Sequence, residues 1–94
     1  MDSGLKKYRA RIFGDTYSIV SDETDILILE AVKIVDGLMR EIADASQACD
    51  PKKIAVLTAL KIATRTLHVE AIMEQEKRLS NRIMNVLNRE TAAL

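Results

Sequence analysis

Lys7, Arg9 and Arg11 recur at every second position of "KKYRARIF". In a strand that spacing puts the three side chains on one face. The chemistry such a row supports is charge pairing. Guanidinium forks bind carboxylates bidentately, and Arg is enriched at protein interfaces. A basic strand face also discourages edge-to-edge pairing, so a solvated face is the plainer reading of the same row. Phe13 follows at the next alternate position, either as an aromatic anchor for a partner or as packing under the helix junction. Lys7, Arg9, Arg11 and Phe13 are therefore the candidate partner-binding residues.

Other reactive side chains lack the company that catalysis or metal binding needs. His68 is the only histidine and has no spaced set of further ligands. Cys49 is the only cysteine, stands in a break between helical patterns, and has no nearby base to activate it. A lone cysteine cannot form an internal disulfide, which suits a reducing compartment. There is no phosphate loop, Gly-rich cradle or carboxylate pair with a plausible pocket. Glu74 and Arg78, four apart, suit an ordinary surface pair on a helix, opposed slightly by Glu70. The expectation is a binding protein, not an enzyme, with no cofactor and no metal.

Composition agrees. Ninety-four residues make one domain at most. Fourteen Lys and Arg balance fourteen Asp and Glu, which argues against a nucleic-acid binder driven by overall positive charge. A nucleic-acid dimer using Lys6, Lys7, Arg9 and Arg11 is the least supported reading. Hydrophobic residues at 48% and charged residues at 30% fit a globular or coiled-coil chain. With Tyr8, Tyr17 and Phe13 the only aromatics, the core must be aliphatic. "MDSGLKKYRAR" has no apolar run of the signal-peptide kind. An apolar run such as Ile26–Leu29, unsurpassed in length along the chain, falls far short of the roughly 20 residues of a membrane span. A cytoplasmic protein is expected.

The basic row needs a strand to display it. Residues 7–13 alternate with the period of a half-buried strand. Gly14-Asp15 matches a type II′ two-residue turn, which wants Gly first. That turn pairs Phe13 with Thr16, Ile12 with Tyr17, Arg11 with Ser18, Ala10 with Ile19 and Arg9 with Val20. One face then reads Tyr8, Ala10, Ile12, Tyr17 and Ile19. The other carries Arg9, Arg11, Thr16 and Ser18, with Phe13 and Val20. Both strands agree about which face is core, which supports the register.

So small a hairpin needs cover. "SDETD" offers Ser21 or Asp22 as a cap, followed by acids that suit a helix N-terminus. A helix is predicted from about residue 23 to about residue 45. Ile28, Val32, Val35, Met39 and Ile42 form one apolar row, with Leu27, Ala31, Ile34 and Leu38 beside it. That stripe is wider than one neighbour would cover, so the first row is expected to reach an oligomer interface. Asp50-Pro51 is a cap followed by proline at the first helical position. No Gly or Pro follows, so a second helix is predicted to run to roughly residue 90, about 60 Å. The preceding body should be roughly 25 Å across, so about half of this helix should project.

The two halves of that helix differ. "IAVLTALKIATRTL" is Ala-, Thr- and Leu-rich and suits close packing in a head. Beyond it Val69, Ile72, Leu79, Ile83 and Val86 fall on alternating a and d positions, with Glu76 and Glu90 at other seam sites. A lone helix cannot bury this seam, so it is the second candidate oligomer interface. The predicted division is a head at 1–68 and a projecting coiled-coil segment at 69–94. The fold class is α+β and mostly helical: an N-terminal β-hairpin, one medium helix, then a long C-terminal helix forming a coiled coil in an oligomer.

Three stretches together resemble the ZapA family of bacterial cell-division proteins. "RIFGDTYSIV" looks like that family's N-terminal hairpin with its Ile-Phe-Gly. "DILILEAVKIVDGLMREI" stands in the place of its first helix. "IAVLTALKIATRTL" is similar to the segment that opens its long helix, with Ala59-Leu60 and Ile62-Ala63 matching well. The ordered set covers almost the whole chain. The family is often basic directly after Ile-Phe-Gly, where this chain has Asp15. The resemblance implies a cytoplasmic scaffold, expected at midcell, that binds the tubulin-like protein FtsZ and bridges or bundles its filaments. It also implies dimers that pair into tetramers, so that separated heads raise effective affinity. The seam alone is compatible with dimer or tetramer. The rival reading from the residues is a coiled-coil adaptor or regulatory oligomer with a partner other than FtsZ.

Overall fold

Strand β1 spans Lys6–Ile12 and β2 spans Asp15–Ser21, paired antiparallel. Helix α1 spans Asp25–Ser46 and α2 spans Pro51–Ala93. The computed structural model describes residues 4–47 and 50–93. Cys49 lies outside the described residues. The chain divides into two compact units, Met1–Ala59 and Leu60–Leu94.

The hairpin corrects the predicted turn. Lys7 pairs with Val20, Tyr8 with Ile19, Arg9 with Ser18, Ala10 with Tyr17, Arg11 with Thr16 and Ile12 with Asp15. The central loop residues are Phe13 and Gly14, not Gly14 and Asp15. Both have positive φ, 51° and 85°, as a type I′ turn demands. The type II′ rule considered only which residue tolerates the first central position. It left out a hydrogen bond from the Phe13 N–H to Asp36 on α1, 2.8 Å long. Each residue of β1 meets a partner two positions earlier on β2 than predicted. A shift of two preserves side-chain alternation, so the apolar face and the Arg9, Arg11 row stay as predicted while every pair changes and Phe13 leaves the basic face for the turn.

The helix start is also later than predicted. Ser21 ends β2, and its hydroxyl accepts from the Glu23 N–H at 3.1 Å, closing a local turn instead of capping the helix. Thr24 is the N-cap, with extended backbone, and its hydroxyl accepts from the Leu27 N–H at 3.3 Å. Asp25 supplies the negative charge in the first turn. Asp50 performs as predicted at the second start. Its carboxylate accepts from the Lys52 N–H at 3.1 Å, and Pro51 opens α2.

In the first unit α1 lies against β1. Its inward row is Ile28, Val32, Val35, Met39 and Ile42, half-buried except for Met39, which is buried. Ala10, Leu38, Met39 and Ile54 form the buried apolar core, with Thr58 beside them in burial. The Thr58 hydroxyl is satisfied by donating to the Ile54 carbonyl at 2.8 Å. Tyr8 ties the hairpin to the start of α1. Its hydroxyl lies 2.7 Å from the Glu23 carbonyl oxygen and 3.0 Å from Asp25 Oδ1, so one proton serves two acceptors. Burial first, then the Asp25 carboxylate, push this phenol above its usual range.

In the second unit α2 continues as unbroken helix, and every side chain from residue 63 to residue 91 is exposed.

Candidate partner-binding surface

The basic row is displayed by the strand pleat. Lys7, Arg9 and Arg11 are all exposed and share the face that carries Val20, Ser18 and Thr16 across the pair. Alternate residues on one strand face stand about 7 Å apart, so the three cations form a short line. No acid stands opposite any of them in the hairpin register. Among the described residues no ion pair reaches Lys7, Arg9 or Arg11. The cations that are paired lie elsewhere: Lys6 with Asp25 at 3.7 Å, Lys33 with Glu30 at 3.9 Å, Arg40 with Asp36 at 3.1 Å and Arg78 with Glu74 at 3.6 Å. A line of unpaired guanidinium and ammonium groups can bind carboxylates or other anions.

Phe13 is not on the strand face with them. It sits in the turn, half-buried, at the tip of the hairpin. Its N–H is held by Asp36, whose two oxygens in turn accept from Arg40 Nε at 3.2 and 3.1 Å. The Phe13 N–H and then Arg40 hold the Asp36 carboxyl below the usual carboxylate range. Asp36 and Thr24 are the positioning residues that sequence reading missed. A signal for Asp36 exists: it lies on the half-buried stripe between Val32 and Met39, where a carboxylate needs a partner.

The two candidate association surfaces lie in different surroundings. The α1 row from Ile28 to Ile42 is the one turned inward. The neighbouring Ile26, Leu27, Leu29 and Ile34 are exposed, Ile26 by 74%. On α2, Val69, Ile72, Leu79, Ile83 and Val86 are each 51–58% exposed. Leu67, Met73, Met84 and Leu87 add further exposed apolar surface. A shallow groove there is lined by Arg82, Ile83, Val86 and Leu87. His68 is an exposed helix residue, and among the described residues no cluster of metal-ligating side chains occurs. No helix among the described residues is long and apolar enough to cross a membrane.

Comparison with known proteins converges on one family. The family model for "Cell division protein ZapA" matches residues 9–91. The cell division protein ZapA of Bacillus licheniformis is 35% identical over 78 residues, 82% of this chain and 92% of that one. That of Shouchella clausii is 35% identical over 75 residues, 80% of this chain and 96% of that one. A solved structure, a ZapA mutant dimer from Geobacillus stearothermophilus, matches with a TM-score of 0.64 at 32% identity, covering 84% of this chain and 88% of that one. Hairpin, medium helix and long helix follow in the order expected for this fold. The chain therefore belongs to the ZapA family of cell division proteins, non-enzymatic proteins that bind FtsZ and bundle its filaments.

Proposed function

We propose that this protein binds FtsZ through the exposed face of its hairpin, centred on Lys7, Arg9 and Arg11 with Phe13 at the tip. The observation that carries this reading is the line of unpaired cations on one face of a chain whose net charge is zero. Unsatisfied charge on one rigid face suits an acidic partner surface and speeds encounter with it. The protein acts in the cytoplasm at midcell and bridges filaments by presenting more than one hairpin per assembly. Bivalency then strengthens binding with no new contact. Self-association as a dimer or tetramer supplies the copies. The seam at Val69, Ile72, Leu79, Ile83 and Val86 pairs the long helices, and the row Ile28, Val32, Val35, Met39 and Ile42 supports the association from within the head. In this reading residues 1–68 carry the filament contact and residues 69–94 carry the pairing seam.

Co-sedimentation with polymerised FtsZ tests the surface. The double variant Arg9→Glu/Arg11→Glu should lower affinity by roughly tenfold or more, with circular dichroism and oligomer mass unchanged. Undiminished co-pelleting of that variant would remove the hairpin face from the interaction.

A further inference from the structure

Two registers keep the same apolar face of this hairpin and differ in where they put Phe13. With Gly14-Asp15 as the turn, Arg9 faces Val20 and Arg11 faces Ser18. With Phe13-Gly14 as the turn, Arg9 faces Ser18 and Arg11 faces Thr16. Both keep Tyr8, Ala10, Ile12, Tyr17 and Ile19 on one face, because the two registers differ by an even step. Local turn chemistry favours the first. It needs positive φ only at Gly14, whereas the second places a phenylalanine at φ 51°, where an aromatic residue is rarely found. The structure nevertheless adopts the second.

One contact of the second register comes from outside the hairpin. Asp36, 23 residues further along the chain on α1, accepts the Phe13 N–H at 2.8 Å. Its carboxylate is steered by Arg40 one helical turn later. In the alternative register Phe13 joins the end of the strand, on the arginine side of the sheet, and its N–H takes part in strand pairing. We propose that Asp36 selects the hairpin register, and so is the positioning residue that sets the layout of the Lys7, Arg9 and Arg11 row and keeps Phe13 at the tip. This rests on the FtsZ reading above only for its consequence in binding; the register itself is independent of any partner.

Nuclear magnetic resonance on the full chain reads the register directly. In the native protein Arg9 and Ala10 should show cross-strand contacts to Ser18 and Tyr17. In Asp36→Ala these should give way, in whole or in a populated fraction, to contacts with Val20 and Ile19. In whatever fraction of Asp36→Ala keeps the native register the Phe13 amide has lost its acceptor and should exchange about tenfold faster or more, whereas strand pairing protects it in the shifted register. Asp36→Asn keeps an acceptor oxygen and should hold the native register. Phe13→Asn creates Asn-Gly, the strongest type I′ pair, and should restore the native register in the Asp36→Ala background, even if Asp36→Ala alone loses the hairpin. Fully native cross-strand contacts in Asp36→Ala, whatever the Phe13 exchange rate, would overturn the proposal, as would failure of Phe13→Asn to restore them where they are lost. A shifted register with undiminished co-sedimentation would leave the register assignment standing and refute the hairpin as the FtsZ surface.

Discussion

The two units of this chain solve the problem of apolar surface in opposite ways. Residues 1–59 bury what they can within the chain: Ala10, Leu38, Met39 and Ile54 are at most 8% exposed. Their elements are joined by contacts distant in sequence, such as Tyr8 with Asp25 and Phe13 with Asp36. Residues 60–94 have no such contacts among the described residues. Their Leu, Ile, Val and Met side chains stand half exposed along a helix whose Thr64, Thr66 and Thr91 hydroxyls and Arg78 each find a partner four residues away. Isolated helices gain little stability from such local pairs. The first unit thus covers part of its apolar surface with its own residues, and the second leaves its apolar row exposed.

The sharpest way to break this contrast is Leu79→Asp. A charge in the seam should weaken self-association by about 3 kcal/mol or more, roughly a hundredfold. Light scattering would show the mass fall toward the monomer while the hairpin resonances stay native. A native-size oligomer would mean that the distal apolar row serves no partner helix. Next in size is Ile54→Ala, which opens a cavity in the first unit and should cost about 3 kcal/mol in urea unfolding, at the middle of the usual range. An effect below about 1 kcal/mol would show that this core is weaker than its burial indicates. Thr24→Ala removes the α1 cap and should cost about 1 kcal/mol by the same measurement.

The smallest effect concerns pH. Asp36 has a folded-state pKa below its unfolded value, owing first to the Phe13 N–H and then to Arg40. Its linked stability is therefore complete above the unfolded carboxylate value, about pH 4, and is lost as pH falls through the folded value. Acid titration of Asp36→Asn should show a shallower loss of stability below that point than the parent protein. Superimposable titrations would show that the carboxylate contributes no charge-dependent stability.

Much of the fold was legible because it depends on local rules. The alternation of residues 7–12, the Asp50-Pro51 start and the unpunctuated run after it each correspond to an observed element. The seam positions were legible as exposed apolar residues for the same reason, since helical periodicity needs no knowledge of the neighbours. The misses share a different cause. The cap moved from Ser21 or Asp22 to Thr24 because β2 runs on through Ser21, which depends on where the hairpin turns. The turn moved because a helix residue supplied a hydrogen bond. No window of a few residues contains that information.

The amino-acid sequence by itself determined which face of the hairpin is apolar, that two helices follow and where the second begins, and that the second half of α2 carries apolar side chains it cannot bury alone. Periodicity and capping act over one or two turns of chain, and they suffice for those features. Only the tertiary structure decided how the strands pair, and so which residues flank each arginine. Both registers place Tyr8, Ala10, Ile12, Tyr17 and Ile19 on one face, and they differ in Phe13, which the observed pairing holds half-buried at the tip. The choice falls to the Asp36 carboxylate, which reaches the Phe13 N–H only when α1 is packed against β1.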